Sequence, residues 1–182
     1  MRLHVSLALS TLLTTLGSGC LGSGSSINAY GGTRSLDTDD FGSLDDQKVY
    51  GADVVLQTSL PLTAVEGGFF HADESDDTLG LNNAELSSED YFVGLRVTPW
   101  DFLISPYFSA GVAYLDSSLD ATGVSDSDED LAYYLRLGAA LKIAMLRVGV
   151  DGRALTGTDV TLDTIESDLD GYQLTLFLGL GF

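Results

Sequence analysis

The final stretch of the chain, Gly171–Phe182 with sequence GYQLTLFLGLGF, constrains the fold more than any other. Taken with period two, Tyr172, Leu174, Leu176, Leu178, Leu180 and Phe182 share one face. Gly171, Gln173, Thr175, Phe177, Gly179 and Gly181 share the other. That alternation is strand geometry, not helix geometry. A soluble strand of this length would carry polar residues on its outward face. Here one face is wholly apolar with an aromatic at each end, and the opposite face is small or polar apart from Phe177, as lipid outside and a tight lumen inside require. About 9 to 11 tilted residues cross a bilayer, so the stretch is long enough. A chain that crosses in this way must close its sheet, because hydrocarbon offers no partner to an unpaired backbone group.

The other end of the chain has a different character. MRLHVSLALSTLLTTLGSGC has a cation at Arg2, an apolar segment from about Val5 to Leu16 and small residues before Cys20. Residues 1–19 therefore read as a secretory signal peptide and are set apart from the fold. Cys20 is the single cysteine of the chain. Its position makes the segment resemble a bacterial lipoprotein signal, with Cys20 as the lipidated first residue. The lipobox pattern places Leu three residues before the cysteine, whereas Leu16 lies four before it and Gly17 takes that place. Cleavage after Gly19 with a free thiol is the alternative. Residues 20–25 form a Gly/Ser-rich lead-in, and 26–182 form one barrel domain. With no further cysteine there is no disulfide framework and no thiolate metal site. No cofactor is implied.

Between these ends the alternation predicts eight strands, at about 26–36, 47–59, 62–72, 89–99, 102–116, 130–141, 143–156 and 169–182. The connections after the first, third, fifth and seventh are long and acidic: LDTDDFGSLDD, DESDDTLGLNNAELSS, SSLDATGVSDSDED and GTDVTLDTIESD. The others are short, at Ser59 to Pro61, Pro99 to Asp101, and around Leu141 and Lys142. This pattern predicts an all-β, eight-stranded antiparallel up-and-down transmembrane β-barrel, with long loops outside the cell and tight turns in the periplasm. An even strand count leaves both termini on the periplasmic side, where a lipid on Cys20 would insert.

Charge follows the same division. The formal net charge is −19. Apart from Asp53, Glu66, Asp101 and Asp151, the 27 acidic residues fall in the long connections or at their shoulders. Arg34, Arg96, Arg136, Arg147 and Arg153 instead fall within strands, opposite the apolar face. Leu131, Tyr133, Leu135 and Leu137 alternate with Arg136, for example, and Leu146, Val148 and Val150 alternate with Arg147 and Asp151. An eight-stranded barrel is just wide enough for side chains to fill it. The five arginines, with Asp53, Glu66 and Asp151, are therefore expected to form a paired charge network in a packed lumen, since an unpaired buried charge is very costly. Such a lumen argues against a porin-like channel of appreciable conductance.

Pro106-Tyr107-Phe108-Ser109-Ala110-Gly111-Val112-Ala113-Tyr114 resembles the fifth-strand pattern of small OmpA/OmpX-type outer-membrane barrels, and a strand ending in Phe182 resembles the C-terminal signal of such proteins. The resemblance spans nearly all of the chain after the signal. It implies an outer-membrane location, contact with outer-membrane lipids, recognition by the barrel-assembly machinery through the last strand, and roles from structural to adhesive. It supplies no catalytic residues. The chain as given carries no peptidoglycan-binding segment after Phe182, and a lipobox-like cysteine is unusual before such a barrel.

The favoured expectation is a non-enzymatic outer-membrane protein acting in structure or surface interaction through four acidic loops. A second is a lipid A-modifying enzyme with His71 as base, oriented by Asp73, and Ser87 or Ser88 as nucleophile. Against it, His71 sits beside Phe69 and Phe70 as an interfacial belt residue would. A third is a soluble lipocalin-like binding barrel tethered through Cys20, which requires an apolar lumen. The runs DESDD and DSDED offer oxygen ligands to divalent cations, but without the spacing of a defined calcium site. Their charge disfavours nucleic acid. Trp100 and Tyr114 read as girdle residues.

Overall fold

The computed structural model describes residues 24–36, 46–76, 84–121, 124–157, 159–162, 165–168 and 171–182. The signal segment, Cys20 and most of the first long connection lie outside them. The strands are β1 (Ser26–Leu36), β2 (Asp46–Gln57), β3 (Thr63–Asp76), β4 (Ala84–Val97), β5 (Ile104–Ala121), β6 (Val124–Ile143), β7 (Leu146–Thr156), β8 (Asp159–Leu162), β9 (Ile165–Asp168) and β10 (Gly171–Gly181). All but β8 and β9 close into one antiparallel barrel in the order β1-β10-β7-β6-β5-β4-β3-β2. The first strand pairs with the last from Ser26↔Gly181 to Leu36↔Gly171, so no edge remains along the seam.

Period two holds around the ring. In β10 buried and exposed residues alternate strictly from Gly171 to Leu180. Leu174, Leu176, Leu178 and Leu180 stand on the outside, each more than half exposed. Leu95, Leu131, Leu135, Leu137 and Val150 extend the same outer surface. At the long-connection end, Phe69 pairs with Tyr91 and Tyr91 with Tyr114, a cross-strand row of aromatics. At the short-turn end Trp100, Phe102 and Leu103 are exposed together in the β4–β5 turn. An exposed apolar surface of this extent is foreign to a water-soluble monomer.

Four connections differ from the sequence expectation. The β6–β7 turn is Ala144-Met145, closed by the Ile143↔Leu146 pair, rather than the residues around Leu141 and Lys142. Leu141 and Ile143 continue the outward alternation of β6, so the ladder runs past them. The third long connection is largely strand, because β5 and β6 stay paired up to Ala121↔Val124. DSDED thus lies in β6, and most of DESDD lies in β3, which pairs with β4 up to Asp76↔Ala84. Their Ser/Asp-rich composition reads as loop, yet the barrel below holds both partners in register and the ladder propagates upward. In the fourth long connection, Val160, Thr161 and Ile165 belong to a separate hairpin, β8–β9.

Inward glycines fit the fold to its contents. A Cβ at Gly94 would lie 2.2 Å from the Tyr134 hydroxyl, and one at Gly138 would lie 2.4 Å from the Tyr107 ring. In the β6–β7 turn, Ala144 has φ of 55°, a left-handed conformation that costs a non-glycine residue about 1 to 2 kcal/mol. Below the barrel wall, Lys142 pairs with Asp101, which also accepts from Ser105 at 2.8 Å. Burial alone would raise the Asp101 carboxyl, but the Lys142 and Ser105 hydrogen bonds hold it below its usual range. Ala144→Gly should raise stability by about 1 kcal/mol, net of the added freedom of the unfolded chain, in reversible urea unfolding from lipid vesicles.

Candidate functional site

The lumen holds the chemistry of the molecule. Arg34, Asp53, Glu66, Arg96, Arg136, Arg147, Asp151 and Arg153 all point inward and are buried. They fall on the inner phase because each keeps even spacing from an inward neighbour, as Arg96 does from Phe92 on β4.

Midway along the axis, five of them form one cluster. Arg136 Nε donates to both Asp151 oxygens, at 2.9 and 2.8 Å, and its Nη1 to Asp53 at 3.0 Å. Arg96 donates from Nε to Glu66 at 2.6 Å and from Nη2 to Asp53 at 3.2 Å. Three tyrosines complete the carboxylates: Tyr134 donates to Glu66 at 2.8 Å, Tyr30 to Asp53 at 2.8 Å and Tyr107 to Asp151 at 2.5 Å. Asn28 donates to the remaining Asp53 oxygen at 2.6 Å. Three carboxylates thus face two guanidiniums, with neutral donors making up the difference.

Toward the long-connection end the balance reverses. Asp90 accepts from Arg34 Nη2 at 2.5 Å and from Arg153 Nη1 at 2.8 and 3.0 Å. Arg34 also donates to Ser88 at 3.0 Å and to the Gln173 amide oxygen at 3.2 Å. Arg147 stands apart near the short-turn end, with no ion-pair partner among the described residues.

Arg136 and Arg153 are direct cross-strand partners, an arrangement that repels. The structure separates their charges by sending Arg136 to the central carboxylates and Arg153 to Asp90. Both guanidiniums also approach the Phe70 and Phe92 rings, Arg153 at 5.1 and 4.9 Å and Arg136 at 5.7 and 5.5 Å. Such contacts recover part of the cost of desolvating a cation.

Asp90 is not the loop-shoulder acid its place in the sequence suggests: it is fully buried and anchors one of the two clusters. Its period-two phase with Phe92 and Arg96 carried the signal. The tyrosine hydroxyl donors were also missed, since an inward tyrosine alone does not reveal what lies across the barrel.

His71 is on the outer face, between Tyr50 and Glu89 on the adjacent strands. Its ring is 4.9 Å from the Tyr50 ring, and Nδ1 is 3.7 Å from Glu89, the carboxylate beside it. Ser88 faces the lumen and accepts from Arg34, so the wall separates it from His71. Ser87 is 2.9 Å from the Ser118 hydroxyl. Among the described residues no group of His, Cys, Asp and Glu has the arrangement of a metal site.

This architecture is that of the small eight-stranded outer-membrane barrels. Neisserial surface protein A matches with a TM-score of 0.58 at 10% identity, covering 87% of this chain and 96% of that one. Ail, the attachment invasion locus protein of Yersinia pestis, matches at 0.55 and 11% identity, over 87% of this chain and 95% of its own. The N-terminal barrel domain of Pseudomonas aeruginosa OprF matches at 0.52 and 12% identity, over 86% and 97%. No family model matches the chain, and no curated protein sequence is significantly similar to it. At these identities the likeness is one of fold.

Asp90→Asn would leave Arg34 and Arg153 facing each other without a carboxylate. Stability in vesicle-based urea unfolding should fall by about 3 to 5 kcal/mol, the cost of breaking a buried ion pair on one side.

Proposed function

We propose that the chain is an integral protein of the bacterial outer membrane, without catalytic activity, whose work is done at the acidic end of the barrel. The observation that carries this reading is the division of the molecule into a lipid-compatible outer band, a charge-filled lumen and an acidic rim. Outward leucines bounded by aromatics suit hydrocarbon and its two interfaces. Residues of β3 to β6 continue above the Phe69-Tyr91-Tyr114 row as paired strand, raising the acidic segments as a ladder-built wall. The long connections face outward from the cell and the termini lie in the periplasm. The last strand, ending in Phe182, presents the chain to the barrel-assembly machinery.

The rim's charge selects among partners. Ail has been solved with a polyanion, the heparin analogue sucrose octasulfate. A chain of net charge −19 repels such a ligand and favours cationic partners or surfaces bridged by divalent cations. Because the lumen is blocked by the Arg–carboxylate clusters, ions are not its cargo. A lipocalin-like reading requires an apolar interior, whereas the innermost side chains include Arg96, Glu66, Asp53 and Asp90.

Fractionation tests the membrane assignment. The Cys20→Ser variant should remain in the outer membrane and migrate faster on a gel when unboiled; its release into the periplasm would show that lipid alone had held the protein. In planar bilayers the purified barrel should give no steady conductance.

The enzymatic alternative rests on His71. In producing cells, His71→Ala should leave the lipid A profile unchanged; in support, Ser88 accepts from Arg34 inside the lumen and Ser87 is hydrogen-bonded to Ser118. Loss of a lipid A species would instead reinstate His71 as a base.

A further inference from the structure

The three short turns are built in the opposite way to turns that face water. Leu60 and Leu62 of the β2–β3 turn, Trp100, Phe102 and Leu103 of the β4–β5 turn, and Met145 of the β6–β7 turn are each at least half exposed. Among residues 58–62, 98–103 and 144–145, Asp101 alone carries a charge, and it is paired with Lys142 and accepts from Ser105. The Thr58 hydroxyl lies 2.6 Å from that of Thr63 and donates to the Thr63 carbonyl at 3.1 Å. Polar side chains in these turns are thus paired within the protein, while the apolar ones are left outside.

The turn backbones follow the same plan. The Thr98 N–H donates to the Leu62 carbonyl at 2.8 Å, the Lys142 N–H to the Leu103 carbonyl at 2.8 Å, and the Gly181 N–H to the Met145 carbonyl at 2.7 Å. Each bond carries the pairing between strands into a turn. In water such a carbonyl needs no protein partner, whereas in a water-poor layer an unpaired one is costly. Leu62 adds a further sign. Its φ of 63° is left-handed, a conformation that favours glycine, yet the position holds an exposed leucine.

The height of the wall says what covers these tips. From Tyr114 in the aromatic row to Ile104, β5 descends about 25 Å, at about 3.3 Å per residue and a tilt of about 40°. That distance already matches the apolar band of an outer-membrane barrel. The turns lie beyond it, at the level of the lipid headgroups.

We propose that the short-turn end is a lipid-anchoring surface, on which the apolar tips of all three turns insert into the boundary between headgroups and acyl chains of the adjoining leaflet. Phospholipid is the partner, because the surface is continuous with the lipid-facing band. The inference rests on the membrane assignment proposed above. It leaves this end of the barrel without a hydrated collar for a soluble partner.

Trp100 is the single tryptophan of the chain, so its fluorescence reports on this end directly. The barrel is refolded into phosphatidylcholine vesicles carrying bromine either close to the headgroup or close to the end of the acyl chains. Trp100 should be quenched more by the shallow bromines than by the deep ones. In a Trp100→Phe background, Leu60→Trp, Phe102→Trp and Met145→Trp, made one at a time, should behave alike and lose most of the acrylamide quenching of the urea-unfolded chain. Leu137→Trp, on the outer band, should be quenched more by the deep bromines. If a turn variant fails to fold, Trp100 of the wild type decides. Should Leu137→Trp escape bromine at both depths, the barrel is not in the bilayer and the membrane assignment falls with the inference. Should Leu137→Trp be quenched while the turn tryptophans respond only to acrylamide, the tips lie in water and this inference alone is overturned.

Discussion

Pairing of guanidiniums inside a closed sheet is the constraint on which the rest of the structure depends. Closure of eight strands fixes the lumen width, and into that width the strands deliver Arg34, Arg96, Arg136, Arg147 and Arg153. Removing such charges from water costs several kcal/mol each, recovered only where the geometry of the pairs is good and their other hydrogen bonds are made. Arg136 meets this demand through Asp151 and Asp53, and Arg96 through Glu66 and Asp53. The tyrosines that finish these carboxylates need room, which the inward glycines Gly94 and Gly138 supply. Small residues, aromatics and charges on the inner face are thus one solution to one packing problem.

The same solution shapes the barrel along its whole length. A lumen crossed by Arg136 and Arg96, both bound to Asp53, is filled at its centre by paired side chains. The outward leucines and valines make the middle of the exterior apolar. At the long-connection end β5 and β6 outrun the 11-residue strands β1, β7 and β10. The barrel is therefore taller on the β3–β6 side. The acidic segments on that side belong to a hydrogen-bonded ladder.

Much of this could be read from the chain. Alternation in GYQLTLFLGLGF assigned every residue of β10 to its face, and the same phase placed Arg96, Arg136, Arg147 and Arg153 inside. Boundaries were less legible. Ser/Asp-rich segments read as loop, yet Ser117↔Asp128 and Asp116↔Glu129 are ladder pairs, because a strand already held by its neighbour is extended at little further entropic cost. The β8–β9 hairpin was missed because a short stretch of Val, Thr and Ile within an acidic connection carries too few residues to show a period.

By itself the sequence determined the side of the wall on which each residue lies, because side-chain direction in a strand is a local property with period two. It thereby determined a polar interior, an apolar exterior and an acidic rim. Only the tertiary structure decided which charges meet. Arg34 on β1 reaches Asp90 on β4, and Tyr134 on β6 reaches Glu66 on β3. Those contacts cross the lumen between strands that are not neighbours. They depend on the closure of the ring and on the register accumulated around it, which no single strand encodes.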